Sequence, residues 1–246
     1  MTTMTLILFL LATFLGGVTS GVAGFAMGLV VSGVCLHIFT PLQTATLIAG
    51  YGFVTQGYAV WKFRDTVSWR GAAPFIAGGA IGVPIGTGIL TYIDPDVLRV
   101  AIGAMLTLYS IWGLSRPSVK VAHENVSIDI GVGALNGLLS GLTGLSGIII
   151  VIWCQLRSWP KDVQRGIFQP VLMGTILMAT ASLTVAGAMT PEILKLYLLG
   201  LPCMIAGTWV GLKLYGKLDD EAFRKIVLVL LLVSGTSLVV PFSWFG

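Results

Sequence analysis

Apolar stretches separated by short polar ones fill almost the whole chain, and their borders predict ten helical pieces. The first five are Thr5–Thr19, Phe25–Phe39, Leu42–Trp61, Gly71–Tyr92 and Val97–Leu114. Ile128–Leu139, Leu145–Leu156, Gly166–Met189, Glu192–Tyr215 and Ala222–Phe242 follow. Charged residues collect between them, at 62–70, 116–129, 157–165 and 213–225, and leave the apolar runs nearly charge-free, as bilayer-spanning helices require. The predicted fold class is an all-α polytopic membrane protein. Leu145–Leu156 is too short to span alone, because its twelve residues reach about 18 Å at ~1.5 Å each, against a hydrocarbon core of about 30 Å.

The pattern occurs twice. Leu15, Gly17, Ser20, Gly21 and Gly24 recur as Leu135, Gly137, Ser140, Gly141 and Gly144 at an offset of 120, so each half interrupts an apolar stretch with the same Ser-Gly-x-x-Gly break. Gly82, Gly86, Asp94 and Arg99 recur as Gly207, Gly211, Asp219 and Arg224 at an offset of 125. In lipid an irregular backbone survives only where it is packed in protein or lines a cavity, so matched breaks in two halves point to a transport site.

Charge decides how the short pieces run. Arg116 and Lys120 precede the second broken pair, and Arg157, Lys161 and Arg165 follow it. The positive-inside rule puts both groups in the cytoplasm, which a re-entrant hairpin allows and a single broken span does not. This reading leaves only Arg99 and Lys195 of the fourteen Lys and Arg outside. Each half is then a re-entrant helical hairpin plus three transmembrane helices. The two halves insert in opposite senses as inverted repeats: 1–115, a cytoplasmic linker at 116–127, and 128–246, one integral membrane domain with both termini outside. Met1–Thr19 lacks a basic leading segment and its counterpart recurs mid-chain, so it reads as part of the fold rather than a signal peptide.

Composition narrows the function classes. The chain is 56% hydrophobic and 10% charged, with a mean hydropathy of +0.95, outside soluble usage. The net charge of +4 sits in loops beside apolar helices, where cytoplasmic bias and anionic headgroups account for it, and nucleic acid is excluded as a partner. Cys35, Cys154 and Cys203 lie in apolar segments without CxxC spacing, so no disulfide framework or metal site is expected. No HExxH, GxSxG or paired carboxylates fall within a span, which argues against an enzyme and a cofactor.

The breaks carry the candidate chemistry. Ser20 and Ser140 stand where N-caps of the following helices belong, and Gly21, Gly24, Gly141 and Gly144 permit positive φ and close ligand approach. Free amides and the positive helix end make each tip an anion site, expected to lack any buried Lys or Arg. Asn136, Thr143 and Ser146 beside the second break, and Thr44, Gln56, Gln169 and Thr175 on the third helices, are further candidates for substrate contact, with interhelical hydrogen bonding the plainer reading of each. Arg165 is expected at the cytoplasmic mouth as a snorkelling interfacial cation, His37 near a helix end and His123 in the central loop. The expected partners are a small anionic substrate and the lipid bilayer. Oligomeric state is open, a homo-oligomer being allowed.

Ser20–Gly24 with Gly28, repeated as Ser140–Gly144 with Gly147 in a chain of two matched halves, resembles the sulfite exporter TauE/SafE family, also called the toluene sulfonate uptake permeases. The likeness covers nearly the whole chain. It departs at Phe25, Ala26 and Met27, where relatives carry a denser glycine run, and prolines common just beyond are absent until Pro41. The resemblance implies a bacterial inner-membrane carrier exporting sulfite or an organosulfonate. A channel for small anions, an uptake permease for another organic anion and a non-transporting scaffold are the rival readings.

Overall fold

The computed structural model describes residues 3–35, 38–39, 41–89, 95–115, 125–143, 146–185 and 190–239. These form ten helices: α1 (Thr3–Ala23), α2 (Met27–Cys35), α3 (Pro41–Lys62), α4 (Trp69–Ile89), α5 (Pro95–Ser115), α6 (Val126–Thr143), α7 (Ile148–Leu156), α8 (Lys161–Val185), α9 (Pro191–Tyr215) and α10 (Asp220–Val239). All ten predicted segments are helical. The expected ends at Tyr92, Met189 and Phe242 lie outside the described residues, as do residues 116–124 of the linker.

The two short helices fold back on the helices before them. Gly16 of α1 faces Met27 and Val31 of α2, and the rings of Phe9 and Phe39 meet edge-on at 5.5 Å further down. In the second half the ladder is polar: Asn136 bonds Ile150, and Asp129 near the start of α6 bonds Trp153 and Arg157 at the end of α7. Each pair is thus an antiparallel helical hairpin. The short arms have nine residues and are about 14 Å long, too short to span alone, and they return along the longer arms.

Small residues fix which helices touch. α1 packs on α9 and α6 on α4, each through glycines whose Cα atoms press on the partner's backbone. Gly207 abuts Phe14 and Val18, while Gly82 abuts Ala134 and Leu138; Gly17 abuts Met204 and Thr208, while Gly137 abuts Gly79 and Val83. Every pair of contacts maps onto the other at the sequence offsets of 120 and 125. α3 crosses α8, and α5 packs on α10 with Gly235 against Gly103 and Thr107.

The exterior is apolar. Leu8, Leu11, Leu15, Ile81, Leu108, Leu198, Trp209 and Val233 are all exposed, a surface that suits lipid and not water. By length and composition α1 and α9 are each able to cross a membrane. The charged segments meet at one end of the bundle: Ser68 N–H donates to Gly166 O at 3.0 Å, Lys161 reaches Asp220 and Leu218, and Arg157 pairs with Asp129 at 2.7 Å.

Candidate functional site

The first hairpin turns at Gly24, whose φ of +88° is the left-handed conformation that costs glycine little. α1 does not stop short of the Ser-Gly pair but runs through Ser20 and Gly21 to Ala23. Ser20 is therefore not an N-cap of α2, and α1 brings C-terminal carbonyls, not amides, to this tip. The second half corrects the same expectation: Ser140 lies within α6, which ends at Thr143, and the residue capping α7 is Gly147 at φ +91°. Ser and Gly are weak helix formers in isolation, but in α1 they sit against the α9 backbone, with Gly21 beside Thr208 and Gly211, where only small residues allow the approach.

At the second tip Asn136 takes the capping role. Its Oδ1 accepts from the Ile150 N–H at 3.4 Å, and the Ser140 hydroxyl donates to Ser146 Oγ at 3.3 Å. Gly141 and Thr143 belong to the last turn of α6, while Gly144 lies outside the described residues, as do His37 and His123. Thr175 bonds within its own helix to Val171 O at 3.0 Å. Thr44 is buried on α3, its hydroxyl without a hydrogen-bond partner among the described residues.

A buried cation stands at the first tip, against the expectation of a pocket without one. Arg165, one turn into α8, has 0% exposure, which also overturns its reading as a snorkelling residue. Its Nη2 donates to Gly21 O at 2.6 Å and to Ser20 O at 3.2 Å. The guanidinium lies over the ring of Tyr215 at 4.2 Å and that of Phe63 at 4.8 Å. Carbonyls at the negative end of α1 and two aromatic faces stand in for the water it has lost. Its Nε and Nη1 have no hydrogen-bond partner among the described residues.

Two glutamines complete this tip. Gln56 of α3 donates from Nε2 to Gly24 O at 2.7 Å and accepts at Oε1 from Gln169 Nε2. Gln169 Oε1 has no partner among the described residues and lies 3.2 Å from where a Cβ on Gly24 would be. Ser20, Gly21, Gly24, Gln56, Gln169 and Arg165 thus converge. Gly24 packs on Phe168 and Gly147 on Leu172, so both breaks abut α8 within about one turn, in one apolar cluster.

Sequence reasoning missed the Phe63 and Tyr215 box, and also the clasp of the second hairpin. There Asp129 accepts from Trp153 Nε1 at 3.0 Å and Arg157 at 2.7 Å, with Arg157 over the rings of Trp153 and Trp159. One signal was available: Arg165 and Gln169 are four residues apart and so share a helix face.

Ser20 and Ser140 are both buried, at 4% and 8% exposure. An open apolar groove of about 600 Å³ lies elsewhere, lined by Tyr58, Leu198, Leu201, Pro202, Ile205, Ala206 and Trp209. Among the described residues no three His, Cys, Asp or Glu gather as metal ligands.

Apolar side chains outside and a sequestered guanidinium beside interrupted helices are the organisation of a membrane transport protein. Comparison with known proteins carries this to the family. The chain belongs to the sulfite exporter TauE/SafE family, whose model matches residues 9–238. A relative in Cupriavidus necator, described as a "Probable sulfite/organosulfonate exporter TauE", is 22% identical over 229 residues that cover 89% of this chain and 88% of that protein. No solved structure matches the chain.

Proposed function

We propose that this protein is a carrier that moves small sulfur-containing oxyanions, such as sulfite or organosulfonates, out of the cell by alternating access. The observation that carries this reading is Arg165, wholly buried at a helix break with donors left over for an anion. Family membership supplies the sulfur, and the burial of Ser20 and Ser140 fits an occluded state of the cycle. The substrate site centres on Arg165, Gln56 and Gln169 at the first tip, and Asn136 and Ser140 at the second.

The carrier is placed in a bacterial inner membrane, which it crosses several times. The two halves, 1–115 and 128–246, are joined by a cytoplasmic linker at 116–127, with both termini outside. Matching contacts at the 120 and 125 offsets support inverted repeats related by a pseudo-two-fold axis, with the hairpins entering from opposite faces. Convergence of the basic segments at one end supports a common cytoplasmic face.

Proteoliposomes containing the purified protein test the reading. Saturable sulfite uptake with counterflow is expected. Single-channel currents would make it a channel, and uptake of simple carboxylates in place of sulfite or sulfonates would remove the sulfur assignment.

A further inference from the structure

Hydrogen-bond partners fix the orientation of the two glutamines. Gly24 O is an acceptor only, so Gln56 must turn its NH2 group toward it and its Oε1 toward Gln169. Gln169 must then spend its own NH2 on Gln56, which leaves its Oε1 as a bare acceptor. One turn back on the same face of α8, Arg165 has bare donors at Nε and Nη1. Both side chains border the same hairpin tip, Arg165 at Ser20 and Gly21, Gln169 at Gly24.

A buried acceptor and a buried cation, each with atoms left unpaired, ask for different things from one ligand. A fully deprotonated oxyanion satisfies the guanidinium but sets its lone pairs against Gln169 Oε1. An oxyanion that still carries one O–H satisfies both, accepting from Arg165 and donating to Gln169. Charge agrees: one buried guanidinium balances one negative charge. Tyr215 commits its hydroxyl to the carboxylate of Asp162, which is exposed at the start of α8 and thus solvated.

We infer that Arg165 and Gln169 form a site for a protonated monoanion, so that among sulfur oxyanions the protein selects hydrogensulfite over species that lack an acidic hydrogen. The inference rests on the carrier reading above and narrows its substrate. Each outward turnover then takes a proton with the anion, without a titrating side chain in the pathway. Organosulfonates, which carry no O–H, become poor ligands.

Methanesulfinate is the discriminating probe, since it keeps charge and pyramidal shape and replaces the hydroxyl of hydrogensulfite by methyl. Binding of each is measured calorimetrically to the purified wild-type protein, in slightly acidic buffer where sulfite is the monoanion. Hydrogensulfite is expected to bind at least about tenfold more tightly, since the methyl leaves a buried acceptor unpaired. Gln169→Met should erase that preference, bringing the two affinities together, and Arg165→Gln should remove binding of both. Equal affinity of the wild type for the two probes, with sulfite flux intact, overturns this inference and spares the carrier. Wild-type protein that binds and moves neither overturns both. Should Gln169→Met fail to fold, the wild-type comparison decides alone.

Discussion

A single side chain changes meaning most between sequence and structure. Arg165 looks interfacial in sequence because it opens a helix beside Lys161 and Asp162, and charge near a helix end ordinarily snorkels. What cannot be read from the letters is that the negative end of α1 and two aromatic rings, all distant in sequence, converge on it. Ser20 and Ser140 were misplaced for a related reason: the helix continues through them because backbone packing outweighs weak propensity. Asp129 and Arg157 form the other buried ionic site, and there each charge has an opposite one at 2.7 Å. Removing one partner strands the second charge, so Asp129→Ala is expected to cost about 3 to 5 kcal/mol of stability. The double variant Asp129→Leu with Arg157→Leu should recover much of that loss. Thermal unfolding midpoints in detergent check both; a single variant as stable as wild type would show that water already reaches the pair.

Helices were more legible than their ends. Apolar length and charge clusters suffice to find all ten, because lipid demands long uncharged runs and tolerates charge only between them. Hairpins were legible too, from arm length and loop charge, but which helix packs on which was not. That choice is made by glycines, and the repeat identified them without naming their partners. Gly82 and Gly207 press on the backbones of α6 and α1, whereas nothing lies within 4 Å of a Cβ added at Gly131. Gly82→Leu and Gly207→Leu should each abolish monodisperse folded protein on size exclusion. Gly131→Ala, in contrast, should leave stability equal or raised by up to about 1 kcal/mol. If all three variants elute like wild type, the seams are looser than close backbone contact implies.

On the scale of the whole molecule, sequence conveyed the duplication and the charge asymmetry, and from these a topology. The proposed topology puts both ends outside, so a tag at either terminus should be labelled by an impermeant reagent on intact spheroplasts, and a C-terminal phosphatase fusion should be active. A C-terminal fluorescent reporter that folds in the cytoplasm would refute the placement. Gly17 and Gly21 bind α1 of the first half to α9 of the second, and Gly133 and Gly137 bind α6 of the second to α4 of the first. The seams that hold tightest therefore join one half of the chain to the other. A conformational cycle that parted the molecule at its linker would have to tear them. In the proposed cycle the bodies that shift would each be a chimera of both halves, and the plane of slip would run through each half rather than between the two.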